Sequence, residues 1–226
     1  MKGTLVNVVT ILVGSSAGLL LKSGIPSKYQ DILMQGMALS VGLIGLQMAL
    51  KTQNILIVII SMGLGAVIGE ALNIDRWLNR LGECLTSRLG GRYGDVGQGF
   101  ITATLVFCIG AMAIVGSIQD GLTGDAGTLY AKSIIDGIAA AVFASGMGIG
   151  VAFSSLSVLV YQGGITLLAG ALGPVLSDRA IVEMTAVGGL LIVAISLLML
   201  KIHTIKVANL LPAIPLAAVI AIFWPA

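Results

Sequence analysis

Long apolar stretches alternate with short polar segments along the whole chain. Eight of these stretches approach the roughly 20 residues that a helix needs to cross the hydrocarbon core of a bilayer. Because lipid offers no partner to a free backbone N–H or C=O, each stretch is predicted to be an α-helix, and the alternation of barrel strands is absent. The predicted spans are residues 4–21, 32–50, 54–72, 99–118, 133–150, 155–175, 182–200 and 206–224.

The boundary between the fifth and sixth spans is the least marked. Residues 133–176 contain a single charge, Asp136, and are too long for one helix. We therefore predict a turn near residues 153–155. The first stretch is predicted to be a true span rather than a signal peptide, because it is long for a signal segment and no A-x-A cleavage pattern follows it.

The composition agrees with a membrane location. The 226 residues are 57% hydrophobic and 10% charged, whereas a soluble domain has about 25% charged residues. A water-soluble core could not bury this much apolar surface, so the lipid bilayer is the expected partner. The 31 glycines suit helices that pack closely in a bilayer. The net charge of +2 is too small to indicate nucleic-acid binding.

Positive charges predict the orientation of the chain. The longest polar segment contains Arg76, Arg80, Arg88 and Arg92. If this segment is cytoplasmic, its side of the membrane holds eight Lys and Arg residues and the other side four. The expectation is a bacterial cytoplasmic (inner) membrane protein with both termini outside. Residues 74–89 of the segment read as a basic amphipathic helix in the interface, either a topology anchor or a surface regulated by anionic lipid.

The two ends of the chain resemble each other. Residues 34–51 and 184–201 both run from Met to Lys through an apolar stretch, and Gly14 in LVGSSAGLLL matches Gly170 in LAGALGPVL. Three similar spans at each end leave two in the middle, and an offset of five spans inverts the second repeat. The sequence therefore predicts an all-α integral membrane protein of about eight transmembrane helices with inverted three-helix repeats (3+2+3).

This architecture divides the chain into four consecutive parts. Residues 1–73 form the first repeat, 74–98 the cytoplasmic loop with its interfacial helix, 99–153 the central two spans, and 154–226 the second repeat. Inverted repeats have the geometry of alternating access, because the same unit can adopt two packings that face opposite sides. The alternative is a gene duplication that merely built a stable bundle.

Broken helices at matching positions of two repeats mark binding sites in such transporters. Gly63 and Gly65 fall opposite the segment at Pro215, and Pro212 lies one turn before it. Proline removes a backbone donor, so this C-terminal segment is predicted to kink or unwind. Asn209 stands just before the predicted break.

Polar side chains inside the apolar spans are candidate site residues. Asn7 in the first span and Gln162 in the sixth fall at nearly matching repeat positions. Their amides could bind a polar solute or a partly dehydrated cation. Alternatively, each amide only hydrogen-bonds a neighbouring helix, which is the more common arrangement for a lone amide in a membrane helix.

Three aspartates lie close together in the middle of the chain. Asp120 and Asp125 flank two glycines in DGLTGD, a solvated turn or a pair of cation ligands. Asp136 follows Lys132 by four residues, with Ser133 one turn before it. An acid inside a span is a functional candidate and could hold a proton or a sodium ion. The alternative is an ion pair with Lys132 that fixes the helix end.

Catalysis finds little support in the sequence. The one histidine, His203, has no metal-ligand neighbour, and Cys84 and Cys108 fit no metal-binding spacing. The Walker and dinucleotide-binding patterns are absent. We therefore expect no enzymatic activity, cofactor or metal. Glu70 and Glu183 stand at the ends of spans and are interpreted as boundary residues.

Five motifs together resemble a known family. They are GSIQDGLTGD (116–125), LYAKSIIDG (129–137), YQGGITLLA (161–169), AVGGLLIVAISL (186–197) and VANLLPAIPLA (207–217). They resemble the bacterial multi-spanning membrane family that includes YqgA and YdfK, whose function is unknown and which is sometimes taken to be a transporter family. The resemblance covers essentially the whole chain and implies a membrane location without naming a substrate. It highlights Asp120, Asp125, Lys132, Ser133, Asp136, Gln162, Asn209 and Pro212.

The leading hypothesis is a secondary transporter or channel-like carrier of an ion or small polar solute. Asp136, with Lys132 and Ser133, would hold the coupling ion or proton near one mouth. Asn7, Gln162 and the broken helix at 209–215 would line the path. The second hypothesis is a non-transporting membrane scaffold or sensor subunit that works through the basic helix at 74–89. Apolar and glycine-rich helix faces are also compatible with a homodimer.

Overall fold

The protein is all-helical in a computed structural model that describes residues 1–22, 27–77, 80 and 96–224. No strand occurs within these ranges, which confirms the all-α prediction. The α-helices are α1 (Lys2–Lys22), α2 (Ser27–Ala49), α3 (Ile55–Leu72), α4 (Val96–Cys108), α5 (Ala111–Leu122), α6 (Gly127–Met147), α7 (Gly150–Leu167), α8 (Ala169–Leu172), α9 (Asp178–Met199) and α10 (Ala213–Phe223). A 3-10 helix, Val207–Leu210, precedes α10.

Several of these helices are suited to a membrane. Helices α1, α3, α6, α7 and α9 are each long and apolar enough to cross one, and α4 with α5 makes a sixth span if the bent pair counts as one. Shorter apolar helices cover Met34–Ala49 and Val207–Phe223. Many large apolar side chains face outward, such as Val67 at 70% exposure, and lipid would cover them. The count of eight spans and the inverted repeat stay predictions.

The fourth predicted span is broken near its middle. Helix α4 ends at Cys108 and α5 begins at Ala111, and their axes meet at 61°. Gly110, between them, has φ +146°, a backbone conformation that favours glycine because a Cβ would be strained there. The stretch 99–118 is therefore two half-length helices rather than the single helix that its hydropathy predicts.

The turn between the fifth and sixth predicted spans lies at Gly148, earlier than the predicted position at 153–155. Gly148 adopts φ +86°, which glycine reaches without steric cost, and α7 begins at Gly150. Ser154 and Ser155 lie inside α7 instead, where each hydroxyl donates to a backbone carbonyl three residues earlier. Because these hydrogen bonds satisfy the serine hydroxyls inside the helix, residues whose polarity suggested a turn are compatible with a continuous helix.

The predicted helix breaks differ between the two ends of the chain. Helix α3 continues through Gly63 and Gly65 without interruption, because a helical glycine leaves the backbone hydrogen bonds intact. Near the C terminus the chain does change form, from the 3-10 helix to α10. Pro212 caps α10, and Pro215 lies in its first turn. Backbone N–H groups in a first turn have no acceptor within the helix, so the N–H that proline lacks costs no hydrogen bond.

The chain forms two compact units, each combining segments from distant parts of the sequence. This grouping differs from the four consecutive parts that the repeat suggested, because helices far apart in sequence pack together. The first unit contains Met1–Met34, Asn79–Cys108 and Met112–Gly173; the second contains Gln35–Leu78, Ile109–Ala111 and Pro174–Ala226.

Glycine brings helices of the first unit into backbone contact. A Cβ at Gly14 would overlap the carbonyl of Gly137, and one at Gly18 would overlap the carbonyl of Ala141. Both contacts advance by four residues, so α1 and α6 run in the same direction. This is the small-xxx-small packing of membrane helices. Such helices gain no hydrophobic driving force by leaving lipid for each other, so they associate through close contact at small residues. Helix α4 also packs along α7, with Gly150 against the backbone of Val96.

A buried acid holds the second unit together. Glu183 on α9 is fully buried and accepts hydrogen bonds from Thr52 Oγ1 at 2.6 Å, Gln53 N at 2.8 Å and Asn54 N at 3.0 Å. These three residues form the turn between α2 and α3. Glu183 is therefore more than the boundary residue that its sequence position suggested, because it supplies the acceptors that the turn lacks.

Glu183→Gln should lower the free energy of unfolding by about 1–3 kcal/mol, because the amide keeps the shape but loses the charge and one acceptor oxygen. Glu70→Gln is the matched control: its carboxylate is 57% exposed in its ion pair with Lys206, so its loss should stay below about 1 kcal/mol. Denaturant unfolding of the purified protein in detergent measures both. Equal losses would mean that Glu183 does not tie the turn.

Candidate functional site

A buried cluster of polar side chains lies in the first unit. Asn7 Nδ2 donates to Asp136 Oδ2 at 2.9 Å and to Gln162 Oε1 at 3.1 Å. These residues come from α1, α6 and α7, and Asn7 and Gln162 are fully buried. Both hydrogens of the Asn7 amide are used, so its orientation is fixed. We call Asn7, Lys132, Asp136 and Gln162 the amide centre.

The charges of the amide centre compensate each other. Lys132 Nζ also bonds Asp136 Oδ2, one turn apart on α6, and both side chains are 8% exposed. The pair lies within α6 rather than at its first residue, Gly127. Ser133, predicted to share the site, donates instead to the carbonyl of Leu129 at 2.6 Å. The predicted contact between Lys132 and Asp136 is therefore present. Asp136 also bonds the amide of Asn7, a partner that the i, i+4 spacing could not indicate.

Buried polar atoms without a partner are concentrated in this unit. An orphaned polar group of this kind costs about 1–3 kcal/mol. Among the described residues of the second unit no such atom occurs: its buried Ser61, Thr185 and Ser196, for example, all donate to backbone carbonyls. The orphans are Thr4 Oγ1, Asn7 Oδ1, Ser15 Oγ, Ser117 Oγ and Gln162 Nε2.

Asp120 fastens the end of α5 to the start of α1. Its Oδ2 accepts from Gly3 N at 3.1 Å and lies 2.9 Å from the amino group of Met1. Asp125 behaves differently: it is exposed and accepts from Gly127 N at 2.9 Å within a turn. The two aspartates therefore do not share one set of contacts. Asp125 matches the solvated-turn interpretation, and Asp120 is a buried link.

Two of the orphaned hydroxyls, those of Thr4 and Ser117, belong to helices that pack around the amide centre or against its helix α7. A Cβ at Gly121 of α5 would overlap the carbonyl of Thr166 of α7. Ser117 lies one turn before Gly121 on α5, and Gln162 lies one turn before Thr166 on α7, so both belong to helices that touch at this contact. On α1, Thr4 lies one turn before Asn7 and shares its face. The i, i+3 spacing of Thr4 and Asn7 is the sequence signal that could have added Thr4.

The broken span ends beside the amide centre. Cys108, the last residue of α4, is buried within electrostatic range of both Lys132 and Asp136. Interrupted helices of this kind free backbone carbonyls and amides at mid-membrane depth, where transporters use them to contact solutes. The break at Gly110 was not predicted, since the sequence indicated breaks at Gly63, Gly65 and the Pro212–Pro215 segment.

Asn209, predicted to line the same path, belongs to the second unit. Its Nδ2 donates to Glu70 Oε2 at 2.6 Å, and its Oδ1 accepts from Asp75 N at 2.7 Å. Lys206 bonds the other oxygen of Glu70 at 2.7 Å. Both ends of the Asn209 amide are occupied, so this residue ties the end of α3 to the 3-10 helix.

Metal chemistry has no visible basis in the described ranges. No three side chains of His, Cys, Asp or Glu gather there as a metal site would require. Cys108 is buried as a free thiol. What the amide centre offers is hydrogen bonding, through a fixed amide, an ion pair and neighbouring hydroxyls.

Comparison with known proteins extends the resemblance seen in the sequence. A family described as "Protein of unknown function (DUF554)" matches residues 2–222. The chain is 34% identical to "Uncharacterized membrane protein YdfK" of Bacillus subtilis (strain 168), over 97% of this chain and 95% of the relative. It is 28% identical to "Uncharacterized protein YqgA" of Escherichia coli (strain K12), over 99% and 97%. No solved structure matches. The chain therefore belongs to the DUF554 family, as its motifs indicated.

Proposed function

We propose that this membrane protein is a carrier or channel for an ion or small polar solute, and that the amide centre is its binding site. One observation carries the proposal: Asn7 joins Asp136 and Gln162 while Asn7 Oδ1 and Gln162 Nε2 stay unpaired and buried. A bundle optimised for stability alone has no reason to keep such atoms. Such atoms call for a water, an ion or a solute as their partner, and we assign that place to the transported species.

The broken span supports transport over a static bundle. In known transporter folds, solutes bind near the bilayer midplane at discontinuous helices. Here α4 ends at Cys108, within electrostatic range of the charged pair, and the chain becomes helical again in α5. Helix α4 and residues 112–122 of α5 belong to the unit that holds the unpaired atoms, which supports this mechanism.

The repeat hypothesis gains support from the same contact. Asn7 and Gln162 stand at nearly matching repeat positions, 155 residues apart, and hydrogen-bond each other. Helix α7 returns after the turn at Gly148, whereas α6 runs parallel to α1. The first members of the two proposed repeats, α1 and α7, therefore run in opposite directions, which an inverted repeat demands. A secondary transporter with 3+2+3 repeats and both termini outside is the finer form of this proposal.

Reconstitution into liposomes tests the function. We expect protein-dependent flux of at least one species in a screen of H⁺, Na⁺, K⁺, chloride and small neutral solutes. Gln162→Leu should reduce that flux about tenfold or more, because it removes a buried hydrogen bond to the solute. Gln47→Leu, the same substitution at an exposed position on α2, should leave it unchanged.

Folding of each variant is checked by gel filtration and melting temperature before reconstitution. If none of the screened species crosses faster than in protein-free liposomes, the proposal fails. It fails equally if Gln162→Leu and Gln47→Leu transport alike. The scaffold or sensor alternative depended on the basic helix at 74–89, of which only residues 74–77 and Arg80 are described, so it gains no observation here.

A further inference from the structure

The amide centre offers no net charge to a ligand. Lys132 and Asp136 neutralise each other, and Asp120 is bonded by Gly3 and the Met1 amino group. An ion entering a site of low dielectric must replace its lost hydration with an opposite charge or with several dipoles of one sign. Because the buried acids already have partners, neither a cation nor an anion finds a free counter-charge here.

The unpaired atoms have mixed hydrogen-bonding character. Asn7 Oδ1 can only accept a hydrogen bond, and Gln162 Nε2 can only donate one. The hydroxyls of Thr4 and Ser117 can do either. A cation would be repelled by the amide N–H of Gln162, and an anion would be repelled by the oxygen of Asn7. A molecule with both a donor and an acceptor satisfies both groups.

The orientation of these atoms is imposed rather than free to adapt. Asp136 Oδ2 and Gln162 Oε1 hold both hydrogens of the Asn7 amide. Flipping Asn7 would set its oxygen against the carboxylate, so Oδ1 must face away from Asp136. With its own oxygen held by Asn7, Gln162 must likewise present Nε2. The ion pair therefore acts as a positioning device for one acceptor and one donor.

The hydroxyls of Thr4 and Ser117 are unpaired, as is that of Ser15 two turns beyond Asn7 on α1, whereas other buried hydroxyls of this unit have partners. Those of Ser133, Ser154 and Thr166 donate to a carbonyl of their own helix, the usual solution in a membrane. Thr4 Oγ1 and Ser117 Oγ do not, although both are fully buried. They come from α1, which carries Asn7, and from α5, which contacts α7 at Thr166. Three helices of the first unit, α1, α5 and α7, thus carry unpaired groups.

We infer that the amide centre binds a small uncharged molecule that both donates and accepts hydrogen bonds. Water, urea and short polyols such as glycerol share this chemistry. The inference rests on the proposed function and narrows its solute class, since it excludes ions as the transported species. Asn7 Oδ1 receives the solute's donor, and Gln162 Nε2 bonds its acceptor.

Stopped-flow light scattering from proteoliposomes tests the solute class directly. Two separate arms impose an inward gradient of glycerol or of urea and measure the permeability of that solute. A third arm imposes a gradient of an impermeant osmolyte and measures the permeability of water. We expect at least one arm to show protein-dependent permeability. Thr4→Val should lower it about threefold or more, the factor carried by one hydrogen bond. Thr185→Val is the matched control, because the Thr185 hydroxyl bonds its own helix at Ile181 O and should be irrelevant to permeation.

Thr4→Val keeps the side-chain shape, so loss of folding does not obscure the result. Ser117→Ala, the second variant, should also reduce permeability. The inference is overturned if the neutral arms all match protein-free liposomes while H⁺, Na⁺, K⁺ or chloride crosses in a Gln162-dependent way; transport then stands with a different solute class. Absence of every flux overturns the inference and the proposed function together. Equal permeability of Thr4→Val and Thr185→Val also overturns the inference.

Discussion

Asp136→Ala should lower the free energy of unfolding by about 3–5 kcal/mol, the loss expected when one member of a buried ion pair is removed. The substitution leaves the Lys132 ammonium in a site where its side chain is 8% exposed, and it deprives Asn7 of an acceptor. Denaturant unfolding in detergent measures the change.

Removing both charges separates this electrostatic penalty from packing. The double variant Lys132→Met/Asp136→Leu contains no unpaired charge, so it should recover most of the stability lost in Asp136→Ala. It should still lose permeation, because Asn7 is no longer oriented. If the double variant is as unstable as Asp136→Ala, the contact between Lys132 and Asp136 does not dominate the stability of the amide centre.

Gly14→Leu should prevent α1 and α6 from packing and abolish the folded first unit. Even Gly14→Ala should cost about 1–3 kcal/mol, because its Cβ would overlap the carbonyl of Gly137, and a backbone atom cannot move aside as a flexible side chain can. The shift in melting temperature reports the effect of the alanine variant. Loss of the monodisperse peak in gel filtration reports the effect of the leucine variant.

Gly164→Ala provides the control within the same unit. Nothing lies within 4 Å of a Cβ at Gly164, so alanine meets no obstacle there. The smaller backbone entropy of unfolded alanine should leave stability unchanged or raise it by about 0.4–1 kcal/mol. A similar loss at Gly14 and Gly164 would contradict the prediction, because it would mean that the overlap with the Gly137 carbonyl does not set the cost at Gly14.

The sequence predicted the helices better than it predicted their interruptions. Hydropathy alone indicated long apolar helices, because a span must satisfy its own backbone and present an apolar surface. Hydropathy did not locate the break at Gly110, since a glycine inside an apolar stretch carries the same signal whether its φ is helical or +146°. Gly63 shows the opposite case, a glycine predicted to break a helix that continues through it.

The residues of the candidate site were predicted, but among their contacts only the pair of Lys132 and Asp136 was. Asn7, Gln162, Lys132 and Asp136 were selected because polar groups inside apolar spans need a reason, and the structure brings these four together. The same rule also selected Asn209, which bonds Glu70 and Asp75 in the other unit. A buried amide either has a structural partner or belongs to a functional site. Only its contacts in the folded protein distinguish the two cases, and those contacts are with residues more than a hundred positions distant in the sequence.

The distance along the chain between Asn7 and Asp136 sets a condition on biogenesis. They are 129 residues apart, so at about 5–20 residues per second α1 is synthesised several seconds to roughly half a minute before its partner helix. During this interval the Thr4 and Asn7 face has no polar neighbour in lipid. The nascent N-terminal helix must therefore wait against the insertion machinery or a headgroup layer, and it can settle into its final place only after α6 has emerged.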